Sequence, residues 1–220
     1  MNSHALLPPI SSLPESRPRP ATSRVNDAYA HLLDAIIEQR LPPDSRLSEE
    51  RLGLEFGVSR LQIRHALTLL AYQQVIILQA RACARVASPS DEQLREALHA
   101  RRLTEMALIP MACRRAQRHD VEHLHSLLDY QQQSRAGNQR GAAIRLAGAF
   151  HLHVAHMAGN APLAYFLSNL IPMTSLAITR RSNATQGWHQ QSAIANAVAN
   201  RDEATALALL NQYLDDLMPA

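Results

Sequence analysis

The sequence contains no lysine, because all 22 of its basic side chains are arginine. This absence excludes enzymes that depend on an amine, such as nucleotide hydrolases with a P-loop lysine, Schiff-base enzymes and protein kinases. Several large enzyme classes are therefore ruled out from composition alone.

Cysteine and long apolar segments are also scarce. Cys83 and Cys113 lie 30 residues apart and form no CxxC motif, so neither a disulfide framework nor a thiolate zinc site is indicated. No apolar run approaches the roughly 20 residues of a membrane span, and Pro8 and Pro9 interrupt the apolar segment near the start. We therefore expect a soluble protein of the reducing cytoplasm, with no membrane partner.

Aromatic residues make up only 4% of the 220 residues, whereas alanine and leucine are prominent. This composition favours helices over a β-sandwich, whose strands are rich in aromatic and β-branched residues. A mass of 24.4 kDa is enough for one large domain or two small ones. We expect a mostly α protein.

The chain divides into four segments. Residues 1–24 contain five prolines and show no helical or strand period, which predicts a disordered arm. Residues 25–87 carry the short elements described next, and residues 88–90 (Ser-Pro-Ser) are typical of a linker. Residues 91–220 have a helical pattern with five breaks, which predicts an all-α bundle of about six helices for effector binding and dimerisation.

Within residues 25–87 the pattern predicts a winged helix-turn-helix domain. A helix at 25–39 is followed by a short helix at 49–56, which Gly57 ends. Ser59 then caps a third helix, in which apolar residues recur at helical spacing. These residues are Ile63, Ala66, Leu67 and Leu70. Short β-prone runs around the basic segment 79–84 predict a hairpin, which completes the motif.

The formal charge of +3 is unevenly distributed along the chain. Between Phe56 and Ser90 there are four arginines and no Asp or Glu, which indicates an anionic partner. Arg60 and Arg64 lie one turn apart on the face opposite the apolar residues, and arginine on a helix can read guanine or contact phosphate in the major groove. The side chains expected to contact DNA are Ser59, Arg60, Gln62, Arg64, His65 and, at the hairpin tip, Arg81. The alternative is a solvated polar face with an exposed hairpin tip.

Several motifs in this segment occur together in one protein family. They are Leu41-Pro42-Pro43, Leu47-Ser48-Glu49, Phe56-Gly57-Val58-Ser59-Arg60 and Ile63-Arg64-His65-Ala66-Leu67. The segment resembles the DNA-binding domain of GntR-family bacterial transcription regulators. The resemblance implies a homodimer on double-stranded operator DNA of two-fold symmetry, with Arg60 and Arg64 on bases and phosphates. The departures from the family pattern affect the wing and the operator sequence; they are Leu61-Gln62, His65, Gln74 and Cys83.

The helix that starts at Asp91 carries two charges on its apolar face. Its stripe has 4-3-4-3-4 spacing and consists of Leu94, Leu98, Arg101, Glu105, Leu108 and Ala112. One interpretation is an i,i+4 ion pair at the edge of the core. The other is that Arg101 reaches into a cavity to hold an anionic ligand, since an inward guanidinium needs a carboxylate or phosphate partner. His151 lies on a second apolar stripe, either as a hydrogen-bonded core residue or as a ligand contact.

This helical half resembles the FCD-type ligand-binding domain of the FadR-like branch of the same family. The matching pieces are Arg101 to Glu105, Phe150-His151, Ala158-Gly159-Asn160, Ile194 to Val198 with Asp202, and Ala206 to Leu214. Many such domains hold a divalent metal through an Asp and three His, with a small carboxylate on the metal. The corresponding positions here are Ala147, His151, Gln191 and Tyr213, which leaves one ligand of the four. We therefore expect no metal cofactor.

The hypothesis that follows is direct binding of a ligand by side chains of this domain. The expected contacts are Arg101, Glu105, His151, Gln191 and Tyr213. The alternative is that side chains fill the cavity and that the protein responds only to its own abundance.

Three functions are compatible with these patterns. The leading hypothesis is a transcription regulator, a repressor like most relatives of this shape, controlled by a small anionic metabolite, an organic acid, and without enzymatic activity. A second is an effector-independent DNA-binding protein. A third is a helical metal-dependent hydrolase, because His119-Asp120 resembles the dipeptide of that class, but the sequence offers no fitting set of further ligands. The nearby His123, His125, His153 and His156 are expected at the surface or at an interface.

Overall fold

The computed structural model describes residues 21–79, 83–179 and 184–218. Helices dominate this part of the chain, so the mostly α fold class is confirmed. In chain order the elements are α1 (Ala21–Ile37), β1 (Arg46–Leu47), α2 (Glu49–Phe56), α3 (Arg60–Tyr72), β2 (Ile76–Ile77), β3 (Ala84–Val86), α4 (Asp91–Arg115), α5 (Arg118–Ala136), α6 (Arg140–Met157), α7 (Ala161–Thr179), α8 (Ala184–Ala199) and α9 (Glu203–Asp215).

The helix-turn-helix is built by local signals. Ser48 caps α2 by accepting a hydrogen bond from the backbone of Arg51, and Gly57 ends it in the left-handed conformation with φ 64°. The apolar face of α3, predicted from its spacing, is buried throughout. It packs against α1, whose own buried face consists of Ala28, Leu32, Leu33, Ile36 and Ile37. The opposite face of α3 is thereby left at the surface.

The wing is a three-stranded antiparallel sheet with the order β1-β3-β2. The predicted hairpin corresponds to β2 and β3, in which Ile76 pairs with Val86. Strand β1 was not predicted, because it is two residues long and pairs with β3 only through the tertiary fold. Gln74, at a position where the family has glycine, has φ 57°, a left-handed conformation that favours glycine. The hairpin tip with Arg81 lies outside the described residues.

The predicted boundary between the N-terminal arm and the first helix differs from the structure. Helix α1 begins at Ala21, four residues before the predicted start, so that residues 21–24 are helical rather than part of a disordered arm. The reason is that no proline occurs between Ala21 and Pro42, so nothing stops the helix from extending toward the N-terminus. Residues 1–20, the rest of the predicted arm, lie outside the described residues.

The C-terminal part packs six helices, α4 to α9, in the described residues. A capping box of Ser90 and Gln93 starts α4, and the six stripe residues of this helix are all buried. One apolar core joins the six helices, with Phe150, Leu124 and Leu210 among its most buried members. This core also encloses the charged residues of the stripe.

Helix α7 is long and apolar. Its residues 161–178 meet the length and composition of a membrane span, with a mean hydropathy of 1.3, and 44% of them are buried against the protein. Ala164, Leu167 and Ile171 of this helix belong to the helical core. One such helix is weak evidence for a membrane, since a core helix of the same composition passes the same test.

The two domains are joined by a close contact between α1 and α6. Arg145 donates two hydrogen bonds to the carboxylate of Asp34, with N–O distances of 2.8 and 3.1 Å, and the backbone N–H of Gly141 donates to Glu38. A Cβ atom added at Gly141 would lie 2.6 Å from the carbonyl oxygen of Asp34. Ile144 of α6 is part of the DNA-binding domain's apolar core. Helix α6 is therefore shared by both halves of the molecule.

Candidate functional site

The exposed face of α3 carries most of the residues predicted to contact DNA. Ser59 and Gln62 form a capping box, in which the Gln62 side-chain oxygen accepts from the Ser59 backbone at 2.8 Å. Their side chains therefore fix the start of the helix, and this use was predicted for Ser59 but not for Gln62. Arg60, Arg64 and His65 are exposed beside them.

Arg60 and Arg64 are paired with two carboxylates of α2. Arg64 donates from Nε and Nη2 to the two oxygens of Glu49 at 2.9 and 2.8 Å, and Arg60 Nη2 lies 2.9 Å from Glu50 Oε1. The hydrogen bond from Arg64 lowers the pKa of Glu49. The expectation of a cationic surface without acidic partners is therefore wrong, because α2, which precedes the segment Phe56–Ser90, packs against α3 and brings its first turn to the arginines.

These ion pairs do not bury the arginines. Both side chains remain 64% exposed. Exposed ion pairs are weak and are screened by salt, so a phosphate or a base edge can replace the glutamates as partner. The bidentate contact with Glu49 also holds the guanidinium of Arg64 in one orientation. The surface therefore presents two exposed arginines, of which Arg64 is held in one orientation, and the partners of both can be exchanged.

A buried polar cluster lies in the centre of the helical domain. Arg101 Nε donates to Glu105 Oε1 at 2.6 Å, and Arg101 Nη1 donates to Thr174 Oγ1 at 3.0 Å. His151 Nδ1 lies 2.5 Å from the other oxygen of Glu105. Arg101 is 1% exposed and Glu105 and His151 are 2% exposed, so the pair is not at the edge of the core as one interpretation expected.

Two further predicted residues complete this cluster. The ring centroids of Tyr213 and His151 are 4.7 Å apart, and Arg101 Cζ lies 5.7 Å from the Tyr213 ring. Gln191 Nε2 donates to the backbone oxygen of Ala147 at 2.9 Å, one helical turn before His151 on α6. We use "buried polar cluster" for these residues: Arg101, Glu105, His151, Thr174, Gln191 and Tyr213.

The charges in the cluster are held in definite states. Burial alone would raise the pKa of Glu105, but His151 and Arg101 together hold this pKa at about 2. Burial lowers the pKa of His151, and the same burial raises the pKa of the Tyr213 hydroxyl. At neutral pH the cluster therefore contains a guanidinium, a carboxylate and a neutral imidazole.

Three polar atoms of the cluster have no hydrogen-bond partner among the residues that the structure describes. They are Arg101 Nη2, His151 Nε2 and Gln191 Oε1. A buried polar atom without a partner costs free energy, so such atoms in a native core indicate a bound ligand, an ion or ordered water. The helices therefore bring Arg101, Glu105, His151 and Tyr213 into contact and place Gln191 on the backbone of α6 one turn from His151, with three polar atoms left without a partner among the described residues.

Three contributing residues were missed by sequence reasoning. Glu49 and Glu50 were not expected to pair with the arginines of α3, and Thr174 was not considered. The signal for the glutamates was present, since the first turn of a helix-turn-helix lies beside the recognition helix. No sequence signal singles out Thr174, because its contact with Arg101 spans 73 residues.

Comparison with family models assigns both halves of the chain. The model described as "Bacterial regulatory proteins, gntR family" matches residues 24–86, and the FCD domain model matches residues 96–216. The chain belongs to the GntR family, with an FCD domain. It is thus a DNA-binding transcription regulator by family, and the resemblance seen in the sequence is confirmed. A comparison with curated protein sequences gives no match.

Solved structures of GntR-family regulators share this fold. McbR/YncC of E. coli is 18% identical, with 89% of this chain and 93% of that chain covered and a TM-score of 0.71. A GntR transcriptional regulator from Rhodococcus sp. RHA1 is 21% identical, with coverages of 88% and 95% and a TM-score of 0.68. Lar, described as controlling the agr system of Listeria monocytogenes, is 18% identical, with coverages of 88% and 94% and a TM-score of 0.55. At these identities the likeness shows the fold alone.

The donor set of the cluster does not fit the divalent metal of many FCD domains. Ala147 has no ligand atom, Tyr213 is kept protonated by burial, and Glu105 already accepts hydrogen bonds from Arg101 and His151. Among the described residues no group of three or more His, Cys, Asp or Glu is placed to hold a metal ion. His151 Nε2 remains as a single strong donor, which is too few for a stable site.

The histidines outside the cluster lie along α5 and α6. His119 Nε2 is 3.3 Å from Asp120, and the rings of His123 and His153 are 4.4 Å apart. His153 is half-buried and hydrogen-bonds the backbone oxygen of Asp120, so it is less exposed than expected. None of these histidines belongs, among the described residues, to a group of three or more possible metal ligands. The alternative of a metal-dependent hydrolase therefore gains no support.

Proposed function

We propose that this protein is a homodimeric, sequence-specific repressor that releases its operator in response to a small metabolite. The observation that carries the proposal is the combination of two exposed arginines on α3 with three available atoms in the buried polar cluster. In this proposal the protein has no enzymatic activity and no metal, and acts in the cytoplasm, as membership in a family of soluble regulators implies.

DNA binding is assigned to α3 and its flanks. A helix with its apolar side packed into the domain and its polar side exposed fits the major groove, where Arg60 and Arg64 would exchange their glutamate partners for phosphates or guanine edges. Ser59, Gln62 and His65 lie beside them, and Arg81 is proposed to contact the groove or backbone next to the wing. Two copies of the domain would then occupy two half-sites.

The effector site is assigned to the buried polar cluster. An organic acid is the effector expected from the sequence, because an inward guanidinium needs a carboxylate. Glu105 supplies a carboxylate to Arg101 within the chain. The chemistry of the effector therefore depends on the three polar atoms of the cluster that have no partner among the described residues. Helix α6 carries His151 toward one end and the contacts with α1 toward the other, and is proposed to couple the two domains.

DNA binding is tested with duplex from the region upstream of the protein's own gene and with an unrelated duplex of the same length. Both are titrated at several salt concentrations. We expect tighter binding to the upstream duplex and a steep linear fall of log affinity with log salt, by about 0.9 per phosphate contact. Equal affinity for both duplexes would contradict a sequence-specific regulator at this locus.

Repression is tested with a reporter placed behind the same upstream region. Expression should fall when the protein is supplied and recover in a variant that has lost Arg64. A rise in expression would make the protein an activator, and no change would leave only DNA binding without regulation, which is the alternative function stated above.

A further inference from the structure

The buried polar cluster is electrically balanced without any ligand. Its guanidinium, Arg101, and its carboxylate, Glu105, are hydrogen-bonded to each other, and His151 donates to the same carboxylate from Nδ1. A carboxylate can only accept, so at 2.5 Å the Nδ1 atom must carry the imidazole proton. An added anion would place a second negative charge beside a single positive one, and burying an uncompensated charge is strongly unfavourable.

The available atoms also define which hydrogen bonds a ligand must make. Arg101 Nη2 is a donor. With its proton on Nδ1, His151 offers Nε2 as an acceptor, and Gln191, whose amide nitrogen is used by Ala147, offers Oε1 as a second acceptor. The cluster therefore requires a ligand that donates two hydrogen bonds and accepts one. A carboxylate has no donor, whereas each hydroxyl group both donates and accepts.

We propose that the buried polar cluster binds an uncharged ligand with at least two neighbouring hydroxyl groups, without a metal. One hydroxyl donates to His151 Nε2, the other donates to Gln191 Oε1, and one of their oxygens accepts from Arg101 Nη2. The Tyr213 ring, which packs beside both His151 and Arg101, supplies an apolar wall for the carbon chain. This inference rests on the proposed function, because it takes the cluster to be the effector site.

The inference is tested by thermal unfolding with matched pairs of ligands. The probes are glycerol, erythritol, ribitol and sorbitol at millimolar concentration, each beside the aldonic acid of the same carbon chain. At least one polyol should raise the Tm of the full chain, by about 5 °C or more at 100 times its Kd. Its matching acid should raise the Tm less or not at all.

Two variants separate binding at the cluster from general stabilisation by polyols. Gln191→Leu removes one of the two acceptors and should abolish the shift in Tm. Gln190→Leu is the matched control, because the neighbouring glutamine is also buried but donates to Asp216 at 2.8 Å. It should lower the Tm of the ligand-free protein and keep the full shift with the polyol.

The ligand-free variants add a readout that needs no probe. Gln191→Leu should lower the Tm less than Gln190→Leu does, because the loss of its hydrogen bond to the backbone oxygen of Ala147 is offset by the removal of a buried acceptor that has no partner. A fall as large as that of Gln190→Leu would assign Gln191 to the structure of the core and would overturn the inference.

The remaining outcomes are also decisive. If an aldonic acid stabilises the wild type and not Gln191→Leu, the uncharged class is overturned, while an effector-responsive regulator stands. If no probe of either class stabilises the protein, or if a polyol shift persists in Gln191→Leu, the inference is overturned. Operator affinity, measured on the same samples, reports separately whether the proposed DNA-binding function holds.

Discussion

At the scale of single residues, the role of each arginine depends on the partner that its guanidinium binds. Arg64 and Arg101 have the same chemistry and both bind a glutamate through Nε. Arg64 is exposed, so its ion pair is screened and exchangeable, whereas that of Arg101 is buried and permanent. We thus propose that the same residue type contacts DNA at the surface and shapes a ligand site in the core.

Replacing Arg64 with Ala should lower operator affinity by about 5- to 150-fold, because a base or phosphate contact is lost. The slope of log affinity against log salt should become shallower by about one if the contact is to phosphate. Arg95→Ala is the control, since Arg95 is exposed on α4, in the other domain. Equal affinities of the two variants in a fluorescence anisotropy titration would contradict the docking of α3.

Replacing Glu49 with Gln should reduce the preference for operator over random-sequence DNA. The change removes a negative charge near the duplex, which strengthens binding to any DNA, and frees Arg64 from its fixed orientation. Glu55→Gln changes the charge of α2 equally at an exposed position and should leave this preference intact. A preference that falls equally in both variants would assign the effect to net charge alone.

Replacing Glu105 with Gln should destabilise the fold by about 3–5 kcal/mol, because Arg101 is left as an unpaired buried charge. The double change Arg101→Met with Glu105→Leu should recover most of this loss, since it removes both charges together. Urea unfolding of the three proteins measures the difference. A double variant as unstable as the single one would mean that packing, not charge, dominates.

The pKa of Glu105, about 2, also predicts a pH dependence. A carboxyl whose pKa is lowered on folding stabilises the protein at pH values above its unfolded pKa near 4.5, and this stability is lost as the pH falls toward 2. The buried, neutral His151 acts in the same direction below about pH 6.5, where the unfolded chain takes up a proton. Unfolding free energy should therefore fall between about pH 6.5 and pH 2, and less so in the double variant without Arg101 and Glu105.

At the scale of elements, α6 holds the two domains together. Its first turns contact α1 through Gly141 and Arg145, and its buried centre carries His151. A glycine is required where the backbones of α6 and α1 approach this closely. The close packing of α1 against α6, rather than a flexible linker, thus fixes the position of the DNA-binding domain relative to the helical domain.

Replacing Gly141 with Ala should destabilise the contact between the domains by about 1–3 kcal/mol, because the new Cβ meets the backbone of Asp34. Gly187→Ala is the control: its Cβ would make an ordinary contact at 3.5 Å, so the variant should be as stable as the wild type or slightly more so. Chemical unfolding measures both. Equal unfolding free energies of the two variants would show that the α1–α6 contact accommodates the added methyl group without loss of stability.

At the scale of the whole molecule, two domains with separate cores share one chain and one connecting helix. The exposed face of α3, which we propose contacts DNA, and the buried polar cluster lie in different domains, so a response to ligand requires a change in the α1–α6 contact or in the arrangement of two protomers. The resemblance to the family implies an operator of two-fold symmetry. We therefore propose that the second protomer takes part in the response to ligand.

The operator complex should contain two chains per duplex, with two protected regions about one helical turn apart. Sedimentation of the free protein should give a species near 49 kDa, twice the chain mass of 24.4 kDa. A complex of one chain per duplex would contradict the dimeric mode of binding.

The amino-acid sequence was sufficient for features that depend on near neighbours. The N-cap of Ser59, the turn at Gly57 and the buried stripes of α3 and α4 follow from spacings of a few residues. The start of α1 was missed although no proline separates it from the predicted helix, and the strand β1 was missed because it is two residues long and pairs with β3 only through the tertiary fold.

Only the tertiary structure decided what the polar side chains meet. Arg64 and Glu49 are 15 residues apart, His151 and Glu105 are 46 apart, and Arg101 and Thr174 are 73 apart. A helical period shows which way a side chain points but not which helix lies opposite it, and partner, burial and protonation are properties of that encounter. The sequence by itself therefore determined the helices and their faces, while the packing determined that Arg101 already has its carboxylate and that three polar atoms of the buried polar cluster lack a partner within the described part of the chain.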